Sequence, residues 1–322
     1  MRRLTLVLFL LLPGVLLAQE KFVHLNKEQE IRDVEATQVA ARTYVIHGPR
    51  EVPNPDNQGF MNNPGFVITD DGVVVVDPGS SLYTGRMLLR QIRQRTDKPV
   101  THVLNTHVHG DHWLGNQAFA EAFPKAIIMA HPNMVAEARA GAAEHWLRLM
   151  DNLTGGATKG TRAVFPGHTV DEGDSFQTGG MTFRILAPSR AHSGVDIMIH
   201  VVEESVLFAG DNLFYQRVGR MDDGTFRGNI NACDVALQTG ARVFVPGHGD
   251  SGDASRVTAF RTYLERLYTL VGKYYEQGLS DFAMKPHVVA AMQDYQHWDG
   301  FAEEIGKHVS LAMLEYEQAQ FE

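Results

Sequence analysis

From residue 44 onward, short apolar runs alternate with longer amphipathic stretches, a pattern that predicts strands interleaved with helices. Segments 44–47, 66–69 and 73–76 read as strands that begin a sheet. Asp70-Asp71-Gly72 separates the last two, and Asp-Gly between apolar runs is a hairpin signal because it accepts the positive φ that tight turns need. Helical spacing follows over 83–95, then strand patterns at 100–104 and 126–130. A second sheet is expected between 169 and 211, with turns marked by Asp174, Gly179-Gly180 and Glu203-Glu204. Residues 232–238 read as helix and 243–245 as the last strand. Beyond Gly249 the period lengthens, and 254–277, 288–296 and 301–318 read as helices; Phe260, Tyr263, Leu264, Leu267 and Leu270 would form one apolar stripe.

The first residues follow another rule. Met1-Arg2-Arg3 is basic, 4–17 is almost wholly apolar, and Ala18 offers a small residue for processing, so 1–18 reads as a cleaved secretory signal. The apolar stretch falls short of the roughly 20 residues a membrane span needs, and no cysteine follows it to carry a lipid. The expectation is a periplasmic or secreted bacterial protein with no stable membrane insertion after cleavage. At 322 residues and 44% apolar content the chain can bury a sizeable core. The formal charge of −9 would become about −11 without Arg2 and Arg3. An acidic chain with no basic run is a poor partner for nucleic acid, so a small-molecule substrate is expected. The single cysteine, Cys233, cannot form an internal disulfide. The oligomeric state stays open.

Thr106-His107-Val108-His109-Gly110-Asp111-His112-Trp113 concentrates three imidazoles and a carboxylate between a strand pattern and a helix pattern. Imidazole and carboxylate are nitrogen and oxygen ligands for Zn²⁺, and a strand-to-helix loop is a common place for active-site residues. Three further ligand-type residues close or border apolar runs: His192, Asp211 at the end of Val206-Leu207-Phe208-Ala209-Gly210, and His248 in Val245-Pro246-Gly247-His248. Asp77 ends the run Val73-Val74-Val75-Val76 ahead of Pro78-Gly79, a position that suits turn chemistry.

Together these motifs resemble the metallo-β-lactamase superfamily, over roughly residues 44–249. The resemblance implies a four-layer αββα sandwich of the α/β class, with a catalytic domain at 19–252 and a C-terminal helical extension at 253–322 packed on it. It places His107, His109 and His192 on a first metal, Asp111, His112 and His248 on a second, and Asp211 between them. It gives Asp77 a supporting role that orients the ligand loop, and Asp111 a catalytic one beside its ligation. Two Zn²⁺ ions are the default cofactors, and an all-nitrogen-and-oxygen set also accepts Fe or Mn. Cys233 lies in a helical-looking segment away from the ligand positions, so the second site carries no thiolate. That feature is similar to hydroxyacylglutathione hydrolases and lactonases. The implied chemistry is hydrolysis of a thioester, ester or lactone by metal-bound hydroxide. Hydrolysis of β-lactams and an accessory role in a periplasmic oxidation system remain as alternatives; the run from Asn63-Pro64-Gly65-Phe66 to Asn116 is similar to exported members associated with quinoprotein or sulfur oxidation.

Substrate contacts are the least determined. The segment 133–162 is expected to be an insertion with a helical part at 134–150 and a Gly-rich stretch at 154–160, forming either a lid or a plain surface loop. Trp113 is expected at the pocket or in the core. Phe214, Tyr215, Arg217, Arg220 and Arg227 follow Asp211 and together could cradle an anionic, partly apolar substrate; the competing reading has these arginines solvated or paired with Asp222 and Asp223.

Overall fold

The computed structural model describes residues 31–188 and 190–321; the signal expected at 1–18, its processing site after Ala18, and His24 lie outside them. Among the described residues, the first sheet holds seven strands in chain order: β1 (Thr37–Gln38), β2 (Thr43–Val45), β3 (Gly65–Ile68), β4 (Val73–Val76), β5 (Val100–Leu104), β6 (Ile127–Ala130) and β7 (His168–Thr169). Strands β1 to β4 meander antiparallel, while β4 to β7 run parallel. The second sheet has the order β12-β11-β10-β9-β8. Its strands are β8 (Ser175–Thr178), β9 (Met181–Leu186), β10 (Met198–Val201), β11 (Val206–Phe214) and β12 (Val243–His248). They pair antiparallel except for β11 with β12. Thr169, expected to open the second sheet, instead closes the first by pairing with Ala130.

Both sheets are mixed, and side-chain alternation sorts each strand into two cores. On β4, Val73 and Val75 face helices α1 (Leu82–Arg93) and α3 (Asn116–Ala122), while Val74 and Val76 face the other sheet. On β11, Val206 and Phe208 face the first sheet, while Leu207 and Ala209 face α6 (Phe226–Gln238) and the C-terminal helices α7 (Ala254–Glu276), α8 (Asp281–Ala291) and α9 (Phe301–Gln318). Helix, sheet, sheet and helix therefore stack in four layers, each interface filled by aliphatic and aromatic side chains worth about 1.5–3 kcal/mol apiece when fully buried.

The C-terminal helices share one continuous core with the second sheet, with Phe260, Tyr263, Leu264 and Val309 fully buried among Leu207, Phe214 and Phe244. Helix α8 corrects the expected 288–296 span. Ser280 caps it by accepting from the Ala283 amide, so the helix begins seven residues before 288 and carries Pro286 inside. Pro286 removes one backbone donor without ending the helix, because Met284 and Val288 anchor it on either side in the core.

Candidate metal centre

All seven expected ligands converge at one edge of the sandwich, on the loop after β5, the loop before β10, and the strands β11 and β12. Each is buried. After β5 the chain passes through Thr106 and His107 into a single helical turn, α2 (Gly110–Trp113), preceded by His109. Loop and frame are stitched together: Asn105 and Asn116 exchange side-chain hydrogen bonds at 3.0 and 2.8 Å, and the Ile197 amide donates to Thr106 O at 2.9 Å. Asp211 follows Gly210, whose φ of +53° sits where the β11–β12 pairing shifts register. Opposite it, Gly247 lets β12 come close: a Cβ there would lie 1.8 Å from Asp211 Oδ1.

Two groups of ligand atoms form, His107, His109, His192 and Asp211 on one side and Asp111, His112 and His248 on the other. Asp211 faces both. Its Oδ1 lies 3.1 Å from His112 Nε2 and 3.4 Å from His248 Nε2, and its Oδ2 lies 3.3 Å from His192 Nε2 and 3.9 Å from His107 Nε2. Asp111 Oδ2 lies 3.2 Å from His248 Nε2 and 3.4 Å from His112 Nε2. Two ligand nitrogens on one tetrahedral zinc stand about 3.3 Å apart; His109 Nδ1 and His192 Nε2 stand 3.0 Å apart. Buried His107 Nε2, His112 Nε2 and Asp211 Oδ1 have no hydrogen-bond partner. A cation in each group would satisfy these atoms, so the residues present fit a dinuclear ion pair.

The outer nitrogens of four histidines are spoken for, and this selects the tautomer that leaves the inner lone pair free. His112 Nδ1 donates to Asp77 Oδ2 at 2.8 Å. His107 Nδ1 meets Thr106 Oγ1 at 3.0 Å, and that hydroxyl donates to Asp77 Oδ2 at 2.7 Å. The Thr106 amide donates to Asp77 Oδ1 at 2.8 Å. Asp77 thus organises both groups from below, from a left-handed backbone position with φ 49°. His248 Nδ1 donates to Met61 O at 2.8 Å, and His109 Nε2 to Asp223 Oδ2 at 3.0 Å. The loop bearing His192 is held by Asp196, which accepts from the Ser193 amide and hydroxyl at 2.9 Å each.

Electrostatics follow from burial and charge. Burial lowers His192 to about 3, and burial together with the neighbouring His112 holds His107 well below its ordinary range. Burial alone would raise Asp111 and Asp211, but the histidines around them hold both carboxyls well below the usual range, His112 foremost for Asp111 and His248 for Asp211. Burial would likewise lower His112, yet Asp211, Asp111 and Asp77 raise it well above an ordinary imidazole. Burial would lower His248 too, yet the same carboxylates raise it, so negative charge sits among imidazoles that it draws toward the positive form, the electrostatics of a cation site.

Above the two ligand groups opens a cleft of about 840 Å³. Its floor carries His109, Asp111, His192, Asp211 and His248. Its walls include Met61, Phe214 and Arg217 on one side, and Trp146, Leu149 and Leu153 from α5 (Ala143–Leu153) on the other. The 133–162 segment therefore supplies a wall: α4 (Pro132–Glu137) and a wide helical turn at Ala138–Ala142 lead into α5, and Trp146 packs on His109 with ring centroids 5.0 Å apart. The Gly-rich stretch beyond it is pinned by Tyr83 Oη donating to Lys159 O at 2.6 Å.

Three expected substrate contacts part company. Arg217 lines the cleft. Trp113 does not: it is fully buried against Val108, Leu114 and Met134, and its Nε1 donates to Val108 O at 2.8 Å. Tyr215 turns away too, beneath the Arg256 guanidinium 3.9 Å from its ring centroid. Arg220 lines the cleft as well while pairing with Asp222 at 2.9 Å, and Arg227 is exposed, as the reading of solvated arginines anticipates. Sequence reasoning missed Thr106, Asp223, Asp196 and Trp146; the Asp222-Asp223 pair beside the expected substrate segment was the one visible signal.

The comparisons with known proteins point the same way. The model of a family described as the metallo-beta-lactamase superfamily matches residues 58–248, which contain all seven ligands. The chain is 27% identical over 197 residues to a probable metallo-hydrolase of Streptococcus pyogenes serotype M6, spanning 58% of this chain and 78% of that protein. It is 32% identical over 132 residues to a hydroxyacylglutathione hydrolase of Rhizobium meliloti, a match that spans 41% of each chain. Among solved structures, a metallo-beta-lactamase from Pontibacter korlensis superposes with a TM-score of 0.57 at 19% identity, covering 72% of this chain and 99% of that one.

Proposed function

The chain belongs to the metallo-beta-lactamase superfamily and is a metal-dependent hydrolase, and from that premise we propose that it cleaves a small-molecule thioester, ester or lactone in the bacterial periplasm. The observation that carries the reading is Asp211, which presents one carboxylate oxygen to each ligand group on the floor of the cleft. Two divalent ions, zinc by default with iron or manganese also suited to the donors, would be held by His107, His109, His192 and Asp211 and by Asp111, His112, His248 and Asp211. When bound, such a pair polarises a carbonyl and makes hydroxide available at neutral pH.

The protein's own groups do the rest. The floor orients the acyl group while Trp146 and Phe214 restrict water around it. Asp111, ionised and facing the cleft, accepts the proton released as water adds to the carbonyl carbon and passes it to the sulfur or oxygen that departs as the acyl bond breaks. No side chain serves as nucleophile: the Cys233 thiol is buried against Asn212 O, and burial pushes it up to about 12. The imidazole-and-carboxylate second group and the likeness to hydroxyacylglutathione hydrolases support an acyl substrate. The basic and apolar leader at 1–18 supports export. The test is a panel of lactoylglutathione, aryl esters, acyl lactones and nitrocefin, with and without chelator. Chelator-sensitive turnover of an acyl compound is expected; turnover of nitrocefin alone would replace this substrate class with β-lactams.

A further inference from the structure

A fixed charge beside a metal centre acts in opposite directions on the metal-free and the loaded protein, because bound ions reverse the sign of their surroundings. Arg217 is placed to do so. It is 8% exposed, and its Nη1 lies 3.3 Å from Nδ1 of His248, a member of the second ligand group. That nitrogen donates to Met61 O, so the contact sets donor against donor and gives the guanidinium no acceptor. The other two arginines of the cleft have carboxylates of their own, Asp299 for Arg50 at 3.3 Å and Asp222 for Arg220 at 2.9 Å. Glu304 is engaged by Lys307 at 3.4 Å, and Glu51 and Glu303 are exposed to screening water. Burial lowers the Arg217 guanidinium from its ordinary value, and Asp211 and Asp111 oppose this ahead of Asp299 and Glu304. The charge that Arg217 chiefly answers is therefore that of the two ligand carboxylates.

The backbone holds the guanidinium there. Gln216 takes a left-handed conformation, φ 56°, directly after β11, a position strained for a residue with a side chain. Two backbone hydrogen bonds clamp the segment: the Val218 amide donates to Asp299 O at 2.8 Å and the Asp299 amide to Gln216 O at 3.0 Å. His248 is fixed in turn, because the Phe214 ring stacks on its imidazole with centroids 5.5 Å apart and planes 2° apart. In the metal-free protein one buried cation stands beside two buried carboxylates and offsets them. In the loaded protein the same cation stands against two divalent charges, and the group containing His248 feels it most.

We propose that Arg217 is a built-in counter-charge of this centre: it stabilises the metal-free protein and lowers the affinity of the Asp111, His112 and His248 group for its ion, which keeps that ion exchangeable. The inference rests on the dinuclear reading of the two groups and on no particular substrate. A residue that merely held His248 in place would act with the opposite sign, since losing support for a ligand weakens metal binding.

The experiment is zinc titration in competition with a chromophoric chelator, beside urea melts of the metal-free and zinc-loaded forms, on wild type, Arg217→Gln and Arg217→Lys. Arg217→Gln is expected to bind its weaker zinc roughly tenfold more tightly or better. Its metal-free form is expected to melt at lower urea than wild type, and its zinc-loaded form is not. Arg217→Lys keeps a point charge at the site and is expected to stay within about threefold of wild-type affinity. In a His112→Ala background, which lacks a ligand of the second group, the gain from Arg217→Gln is expected to shrink to about threefold or less. Unchanged or weaker zinc binding by Arg217→Gln would overturn the proposal, as would an undiminished gain in the His112→Ala background. Should metal-free Arg217→Gln fail to fold, the competition is run from the zinc-loaded side, where easier loss of zinc than from wild type would overturn it. Should it fail to fold even with zinc, Arg217→Lys decides, and zinc binding weakened about tenfold there would show a structural role instead. Two ions bound with affinities indifferent to Arg217 would sink this inference and leave the dinuclear reading standing; a wild type that takes up a single ion would overturn both.

Discussion

Replacing Asp77 with Asn probes how the ligand loop is held while sparing the backbone. Asn tolerates the left-handed φ of 49° about as well as Asp, and the change keeps side-chain size, so only the hydrogen bonding and the carboxylate charge are altered. Three donors converge on the carboxylate: the Thr106 amide at 2.8 Å, the Thr106 hydroxyl at 2.7 Å and His112 Nδ1 at 2.8 Å. An amide has one acceptor oxygen and turns an NH2 toward at least one of these donors. Hydrogen bonds to a charged group contribute about 1.5–3 kcal/mol each, and loss of a residue that orients metal-ligating histidines typically weakens metal affinity 10–100-fold. Asp77→Asn is therefore expected to bind zinc roughly 10–100-fold more weakly in competition with a chromophoric chelator, with unchanged far-ultraviolet circular dichroism. Wild-type affinity and stoichiometry would refute the claim that Asp77 organises the centre.

Two further outcomes follow from the packing. Gly247→Ala would place a Cβ 1.8 Å from Asp211 Oδ1; the protein should fold yet lose bound metal by elemental analysis, and a fully loaded variant would contradict the assigned approach of β12 to β11. His308 accepts from Tyr263 Oη at 2.9 Å and donates to Gly219 O at 2.9 Å, and burial lowers it to about 4. The unfolded chain, near the ordinary 6.5, takes up the proton first. Its stabilising contribution is thus complete above that value and lost as pH falls through 4, by up to roughly 3 kcal/mol. Urea melts from pH 7 to 4.5 should be steeper in pH for wild type than for His308→Gln, and identical slopes would refute the assignment.

The residues of the two His/Asp groups were legible in the sequence because imidazoles and carboxylates bunch in one strand-to-helix loop and recur before β10 and on β11 and β12, and because the resemblance grouped them. The layers were legible because alternation on β4 and β11 divides each strand between two cores. What supports the ligands was not. Met61 holds His248 through a backbone carbonyl, which no side-chain pattern announces, and Asp223 reaches His109 across 114 positions. Trp113 and Trp146 illustrate the same limit. The first adjoins a ligand in sequence and points into the core; the second lies on a separate helix and packs over His109. Pro286 concealed the start of α8 because a proline's usual meaning as a helix boundary gave way to tertiary anchoring by Met284 and Val288.

The dinuclear centre bridged by Asp211 is the core of the account, and zinc K-edge absorption on protein whose zinc content has been counted tests it most directly. The account predicts two zinc ions per chain, a first shell of nitrogen and oxygen only, and a metal–metal distance of roughly 3.5–4 Å. One zinc per chain, or sulfur in the first shell, would contradict it.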